Sequence, residues 1–419
     1  MKILNITSLD TGGAGIAAIR LHRALREAGE ESKLLLMFNK KAVEESYQFN
    51  DYKNPGAVGN TLHFFRAAFY PGINKLKMLG RKGEFEIFSP PQSAFDLTSH
   101  PLFKWADVVN LHWVPYFLDW RTFFRRADRP VVWTFHDMFP FSGGCHVTFG
   151  CKKFMEDCSD CPQLQGTINP DFSKKYLNIK KEGMTTAKNL TVVTPSRWLG
   201  ETSAASPLFS PFPHEVINNG IDSQKFTRHD PTEARRELGI PEGRRVLLFV
   251  SDKLDRWYKG YRVILEAFGK LSGRSDVLLV SLGESAGIDI PEGLPLHELG
   301  FIAGEEKISM VYSAANAFVT PSLADNYPNT VVESLMCGTP VVGFPIGGIK
   351  EMVDHGENGI LCEEPNSDSL AKSLNDFLDN KYYFDNLKIR KNSIGQRDHL
   401  VMANKYIELY EHMINTKSE

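Results

Sequence analysis

What most constrains the fold of this chain is a recurring short, predominantly apolar run. Such runs occur at Ile3 to Ile6, Val108 to Leu111, Val131 to Phe135, Thr191 to Thr194, Val246 to Val250, Val277 to Leu282, Leu299 to Phe301, Ala317 to Thr320 and Pro340 to Phe344. Segments with helical apolar spacing alternate with them, among them Ala17 to Leu25, Arg262 to Leu271 and Glu305 to Ala314. A strand that is apolar on both faces must be covered on both faces. Alternation with helices supplies that cover and specifies a parallel sheet of α/β type. At 419 residues the chain is long for one such core and sufficient for two.

Charge divides unevenly along the chain. Residues 1–215 carry 26 Lys and Arg against 21 Asp and Glu, a balance of +5, while the remainder carries 22 against 30, a balance of −8. The first half suits anionic surfaces or phosphates, but neither half is basic enough to make nucleic acid the expected partner. No apolar run reaches bilayer-spanning length, and Met1-Lys2-Ile3-Leu4 enters a strand pattern directly, without a signal peptide. A cytoplasmic protein is expected. Residues 61–82 mix Phe64, Phe65, Phe69 and Tyr70 with Arg66, Lys75, Lys77, Arg81 and Lys82, with no acid among them. They read either as a segment lying on the anionic inner leaflet or as core aromatics with solvated cations.

The most informative stretch is Phe318 to Val353: a strand, a polar loop from Pro321 to Asn329, a short helix from Thr330 to Met336, then a second strand. Gly338 follows the helix where a left-handed residue is wanted. Asp325 lies in the loop and Glu333 in the helix beside Val332, Leu335 and Met336, near the core boundary. A carboxylate there needs hydrogen-bonding partners, which sugar hydroxyls supply, and the helix start offers N–H groups to a phosphate.

Pro321-Ser322, Glu333 and Cys337-Gly338-Thr339-Pro340-Val341 resemble the acid motif of glycosyltransferase family 4, with Asp325 in place of its first Glu. Asn218-Asn219-Gly220-Ile221-Asp222 and Lys259-Gly260 resemble further family segments. The resemblance implies the GT-B fold: two Rossmann-like domains facing a cleft, with a C-terminal helix returning to the first. The expected boundaries are 1–210 for the acceptor-side domain and 216–395 for the nucleotide-sugar-binding domain, joined by a Pro/Phe-rich linker from Pro207 to Pro213. Residues 396–419 would form the returning helix. The implied activity is transfer of a sugar, with retained configuration, from a nucleoside diphosphate sugar to a hydroxyl of a glycan or lipid-linked glycan in bacterial surface polysaccharide synthesis. Glu333 would bind ribose, and Asp325, Asn326, Tyr327, Pro328 and Asn329 would position the donor. Lys259 with Arg256, or with Lys253 in its place, would hold the diphosphate. No Asp-x-Asp motif occurs, so metal-free catalysis is expected. The competing readings are another GT-B chemistry, such as a nucleotide-sugar epimerase or a phosphorylase, and a non-catalytic interaction protein scaffolded by cysteines.

The first half carries its own candidates. Asp10-Thr11-Gly12-Gly13-Ala14-Gly15 follows the first strand, and such a loop lets backbone approach a phosphate or sugar. By resemblance, Gly12 and Gly13 would face the cleft and help bind the donor. His112 and His136 each follow an apolar run, where ligands of α/β sheets bind. His136 also matches a family His-Asp position at the donor sugar, and His112 is read as a cleft or acceptor residue. Cys145, Cys151, Cys158 and Cys161 crowd into seventeen residues. In a cytoplasmic chain they read as a structural zinc site, with His146 as a substitute ligand, or as packed thiols.

Overall fold

The computed structural model describes residues 1–51, 57–83, 86–254, 256–271, 274–284 and 293–416, without the side chains of 57 and 58. It divides into two compact units, Met1–Asn218 with Met402–Glu419, and Asn219–Val401. Each is an α/β sandwich around one parallel sheet.

The sheet of the first unit comprises β1 (Lys2–Leu9), β2 (Glu31–Phe38), β3 (Ser46–Gln48), β4 (Val108–Leu111), β5 (Val131–Thr134), β6 (Leu190–Thr194) and β7 (His214–Val216). They stand in the order β3-β2-β1-β4-β5-β6-β7, all parallel. Side chains alternate between faces with period two. Leu4, Ile6, Val109, Leu111, Val131, Trp133 and Val192 therefore enter one core, rich in aromatics. Ile3, Val108, Val132 and Val193 enter the other. This second face is closed by the helix Gly12–Glu27, through Leu21, Ala24 and Leu25, and by the last helix, His399–Thr416, through Met402, Ala403, Tyr406, Tyr410 and Met413. Two buried hydrogen bonds fix that last helix: Asn110 Nδ2 to Tyr410 Oη at 2.8 Å, and a 3.0 Å pairing of the Thr134 and Tyr406 hydroxyls.

The sheet of the second unit comprises β8 (Arg245–Lys253), β9 (Val277–Glu284), β10 (Leu296–Glu298), β11 (Ala317–Thr320), β12 (Val341–Gly343) and β13 (Gly359–Leu361), in the order β10-β9-β8-β11-β12-β13 and again all parallel. The same alternation sends Val246, Leu248, Val280 and Phe318 to one face and Leu247, Phe249, Leu279 and Val319 to the other.

Three sequence expectations are corrected. The strand expected at Leu299 to Phe301 lies at Leu296–Glu298, because Gly300 at φ +63° turns the chain out of extended backbone. The expected linker is part of the first unit, since Leu208 and Phe209 are buried in its aromatic core. The boundary consequently falls at Asn218, beyond the expected 210–216, with Val216 on β7 and Ile217 in the core beneath the last helix. That helix starts at His399, because residues 386–397 form a separate helix closed by Asp398 in extended backbone. Among the described residues no helix is long and apolar enough to cross a membrane.

Candidate active site

In each sheet the strand order reverses once, between β1 and β4 in the first and between β8 and β11 in the second. At such a switch point the loops leaving the two strands diverge, and the crevice between them is where open α/β sheets bind ligands. The glycine loop, His112, Arg256, Lys259 and Asp325 follow these four strands, Glu333 lies on the helix after β11, and His136 and the cysteine cluster follow β5.

In the second unit β8 leads to a 3₁₀ turn, Trp257–Lys259, closed by Gly260 at φ +80°. A Cβ on Gly260 would stand 2.0 Å from the Pro321 carbonyl oxygen, so only glycine allows the loop after β11 to lie against this turn. Leu323 N–H donates to Tyr258 O at 2.7 Å and joins the two loops. Lys259 Nζ meets Asp325 Oδ2 at 2.7 Å, with only 25% and 13% of the two side chains exposed. The two residues thus form one partly buried ion pair. Arg256 lies in the same turn, its guanidinium 3.2 Å from Asp252 Oδ2 and donating to Tyr258 Oη at 3.3 Å. Lys253 is exposed at the end of β8.

The loop after β11 delivers Pro328 as the cap of the helix Asn329–Met336. Val331, Val332, Leu335 and Met336 bury that helix and leave Glu333 half-buried, where Oε2 accepts from Tyr312 Oη at 3.0 Å. Asn329 Oδ1 accepts from Asn219 Nδ2 at 3.1 Å. Asn326 is half-buried in the loop. Tyr327, by contrast, turns into the core, and its hydroxyl accepts from Arg397 Nε at 3.2 Å. Burial raises its pKa. Its side chain braces the loop from behind.

In the first unit, β1 delivers the glycine loop and β4 delivers His112. Gly12 opens the first helix at φ +71° and is exposed, as is Gly13. The close approach is made by Gly15, where a Cβ would stand 2.5 Å from the Leu9 carbonyl oxygen. His112 and His136 stack, with ring centroids 5.4 Å apart, and bond through Nδ1 and Nε2 at 3.1 Å. This pair ends a hydrogen-bond chain that sequence reasoning missed. At its far end His22 Nε2 lies 2.9 Å from the Glu44 carbonyl, which only accepts, so His22 Nε2 carries the proton. His22 Nδ1 then accepts from Ser32 Oγ at 2.8 Å, and Ser32 Oγ accepts from Asn5 Nδ2 at 3.0 Å. Asn5 Oδ1 takes the proton of His112 Nε2 at 3.1 Å, leaving His112 Nδ1 to accept from His136 Nε2–H. Each link fixes the next, and the tautomer of His136 is set at Nε2–H. Burial lowers the pKa of His22 to about 4, that of His112 well below its usual value, and that of His136 to about 4. The signal for this chain was a polar Asn5 within an apolar strand.

Asp137 anchors the following loop. Its carboxylate accepts from Trp113 Nε1 at 2.9 Å and Phe139 N–H at 2.8 Å and lies 2.6 Å from His146 Nδ1. Burial alone would raise its pKa, but the His146 charge and hydrogen bond outweigh it and the pKa is lowered. His146 Nε2 is engaged by Ser89 Oγ at 2.9 Å, so both of its ring nitrogens are hydrogen-bonded. Cys145, Cys151, Cys158 and Cys161 form no disulfide and line one small cavity, Cys151 half-buried and the others buried. Among the described residues no group of three or more His, Cys, Asp and Glu is arranged to hold a metal ion. Beneath this loop the fully buried Lys180 ammonium donates to the carbonyls of Phe139 and Ser142.

Residues 230–395 match the family described as glycosyl transferases group 1. The chain is 24% identical over 162 residues to the N-acetyl-alpha-D-glucosaminyl L-malate synthase of Bacillus anthracis, an alignment covering 38% of this chain and 42% of that protein. It is 23% identical over 389 residues to the putative colanic acid biosynthesis glycosyl transferase WcaC of Escherichia coli K12, covering 87% of this chain and 88% of the other. Among solved structures, Anabaena Alr3699/HepE in complex with UDP superposes with a TM-score of 0.65 at 18% identity, over 98% of this chain and all of that one.

Proposed function

We propose, from the GT-B fold and the match of residues 230–395 to the glycosyl transferases group 1 family, that the chain moves a sugar from a nucleoside diphosphate sugar to an acceptor hydroxyl with retained configuration. The observation carrying this reading is the switch point between β8 and β11, where Lys259 and Arg256 follow the first strand, Asp325 and the helix bearing Glu333 follow the second, and Gly260 lets the two loops meet. Glu333 accepts from the ribose hydroxyls, with Tyr312 Oη holding its other side. The donor diphosphate takes Lys259 and Arg256 as counter-ions, with Lys259 bridging phosphate and Asp325. As the bond to the sugar breaks, negative charge builds on the departing diphosphate, and two fixed cations lower the energy of that state. N–H groups at the start of the helix Asn329–Met336 favour the same charge.

In the first unit, neutral His136 is the candidate polar contact for a sugar, and the exposed Gly12 and Gly13 are the candidate backbone contacts. The acceptor is a hydroxyl of a glycan, free or lipid-linked, as in surface polysaccharide assembly. The relative named for colanic acid biosynthesis and the neighbour solved with UDP support these choices of pathway and donor. Incubating the chain with UDP-, GDP-, ADP- and dTDP-sugars tests the reading. One of them should raise the melting temperature and release nucleoside diphosphate on addition of acceptor glycans, with the product anomer given by NMR. Failure of every donor to bind would overturn it.

A further inference from the structure

The helix Ala57–Lys77 is packed inside out. Gly59, His63, Ala67 and Asn74 face the protein. His63 Nε2 donates to the Met37 carbonyl at 2.7 Å, and Asn74 Nδ2 donates to the Phe88 carbonyl at 2.6 Å and to Tyr116 Oη at 3.1 Å. The large apolar side chains face water: Leu62 46% exposed, Phe64 65%, Phe65 65%, Phe69 56% and Leu76 64%, followed by Leu79 at 54%. Leu62, Phe65, Phe69 and Leu76 are spaced three, four and seven residues apart, so they form one outward stripe. At 1.5 Å per residue that stripe is about 21 Å long. Isolated exposed apolar residues need no explanation, but a continuous stripe of this size marks an interaction surface.

The cations around the stripe decide what covers it. Residues 57–82 hold five cations and no acid. Two of the five are committed to the fold. Lys77 Nζ donates to Tyr176 Oη at 3.1 Å, and Arg81 donates to Gln163 O at 2.7 Å and Glu86 O at 2.9 Å. Arg66, Lys75 and Lys82 are exposed around the apolar stripe. A long aromatic stripe edged by cations is the pattern of a helix lying in the plane of an anionic bilayer, rings at the acyl boundary and cations at the headgroups. We propose that the outward face of residues 62–82 is a docking surface for an anionic lipid bilayer, through Phe64, Phe65, Phe69 and Leu76 with Arg66, Lys75 and Lys82. A lipid-bound acceptor would fit such a surface, but the proposal does not depend on the reaction.

Co-sedimentation with phosphatidylcholine vesicles, with and without a large fraction of phosphatidylglycerol, tests it on the full chain. The wild type should pellet with the anionic vesicles, less at high salt, and little with the neutral ones. Combined Phe64→Ser, Phe65→Ser and Phe69→Ser should weaken binding at least about tenfold, since most of the buried apolar area is lost. Combined Arg66→Glu, Lys75→Glu and Lys82→Glu should abolish the preference for anionic vesicles. Both variants alter exposed side chains, so an unchanged melting temperature is expected and serves as the control for folding. A wild-type chain that ignores anionic vesicles at low salt would overturn the proposal. So would a wild-type dimer in light scattering that the serine variant dissociates, since the stripe would then be covered by a second copy.

Discussion

At the scale of single residues, Glu333 keeps one carboxylate oxygen on Tyr312 within an otherwise apolar helix face. Glu333→Gln preserves that bond, because the amide oxygen still accepts, but removes the charge that strengthens bonds to ribose. At about 1.5–3 kcal/mol for a charge-assisted bond, donor affinity should fall roughly ten- to hundredfold in calorimetry with the melting temperature unchanged. Equal affinity would remove Glu333 from the donor site. A second expectation concerns acid. The folded pKa values of His22, His112 and His136 are lowered below the usual 6.5 by burial. Between about pH 6.5 and pH 4 the unfolded chain binds more protons than the folded one at these three positions, so stability falls as pH falls through that window. Urea denaturation at stepped pH should show it, and a flat profile would mean that these rings are accessible to water. The His pair was legible because each ring follows an apolar strand. Its support was not, because Asn5, Ser32 and His22 are far apart in sequence and only the pairing of β1 with β2 and β4 brings them together.

At the scale of elements, the loops after β8 and β11 depend on one backbone contact. Gly260→Ala would put a methyl into the Pro321 carbonyl and a side chain at positive φ. The left-handed conformation alone costs about 1–2 kcal/mol. The variant should lose both stability and donor affinity in thermal-shift and calorimetric measurements. Gly269→Ala, at the end of a helix where a Cβ meets nothing within 4 Å, is the control and should lower neither. The cysteine loop allows a different test. Burial pushes the Cys145 thiol up to about 12 and Cys158 to about 11, while Cys151 is half-buried. A thiol-specific reagent at pH 8 should label Cys151 well before the others. Joint protection of all four thiols, released together by a chelator, would instead support the zinc reading. Most strands were legible as apolar runs because burial on both faces leaves few polar positions in them. The strand before Phe301 was misplaced because Leu299 and Phe301 carry the apolar signal, whereas the ladder to β9 is set by backbone at Leu296–Glu298. The helix Ala57–Lys77 showed its composition but not its orientation, since the buried face is chosen by hydrogen bonds of His63 and Asn74 to distant carbonyls.

At the scale of the whole molecule, the first unit is discontinuous in sequence: residues 1–218 are completed by residues 402–419. Tyr406 and Tyr410 are both buried, and their hydroxyls satisfy Thr134 and Asn110 within the sheet. A chain ending at Val401 should therefore lose several kcal/mol from the first unit, from apolar exposure and from two orphaned polar groups. Two separate thermal transitions are expected, the lower one from the first unit, with the transition of residues 219–401 unchanged. A single unshifted transition would show that the last helix contributes little. The same discontinuity sets a timetable for biosynthesis. A ribosome making this chain finishes the first sheet early but must translate the whole second unit before the helix that seals the sheet exists. At about 5–20 residues per second, the sticky face around Ile3, Val108, Val132 and Val193 stays uncovered for roughly ten seconds or more, long enough for a chaperone to be its first partner.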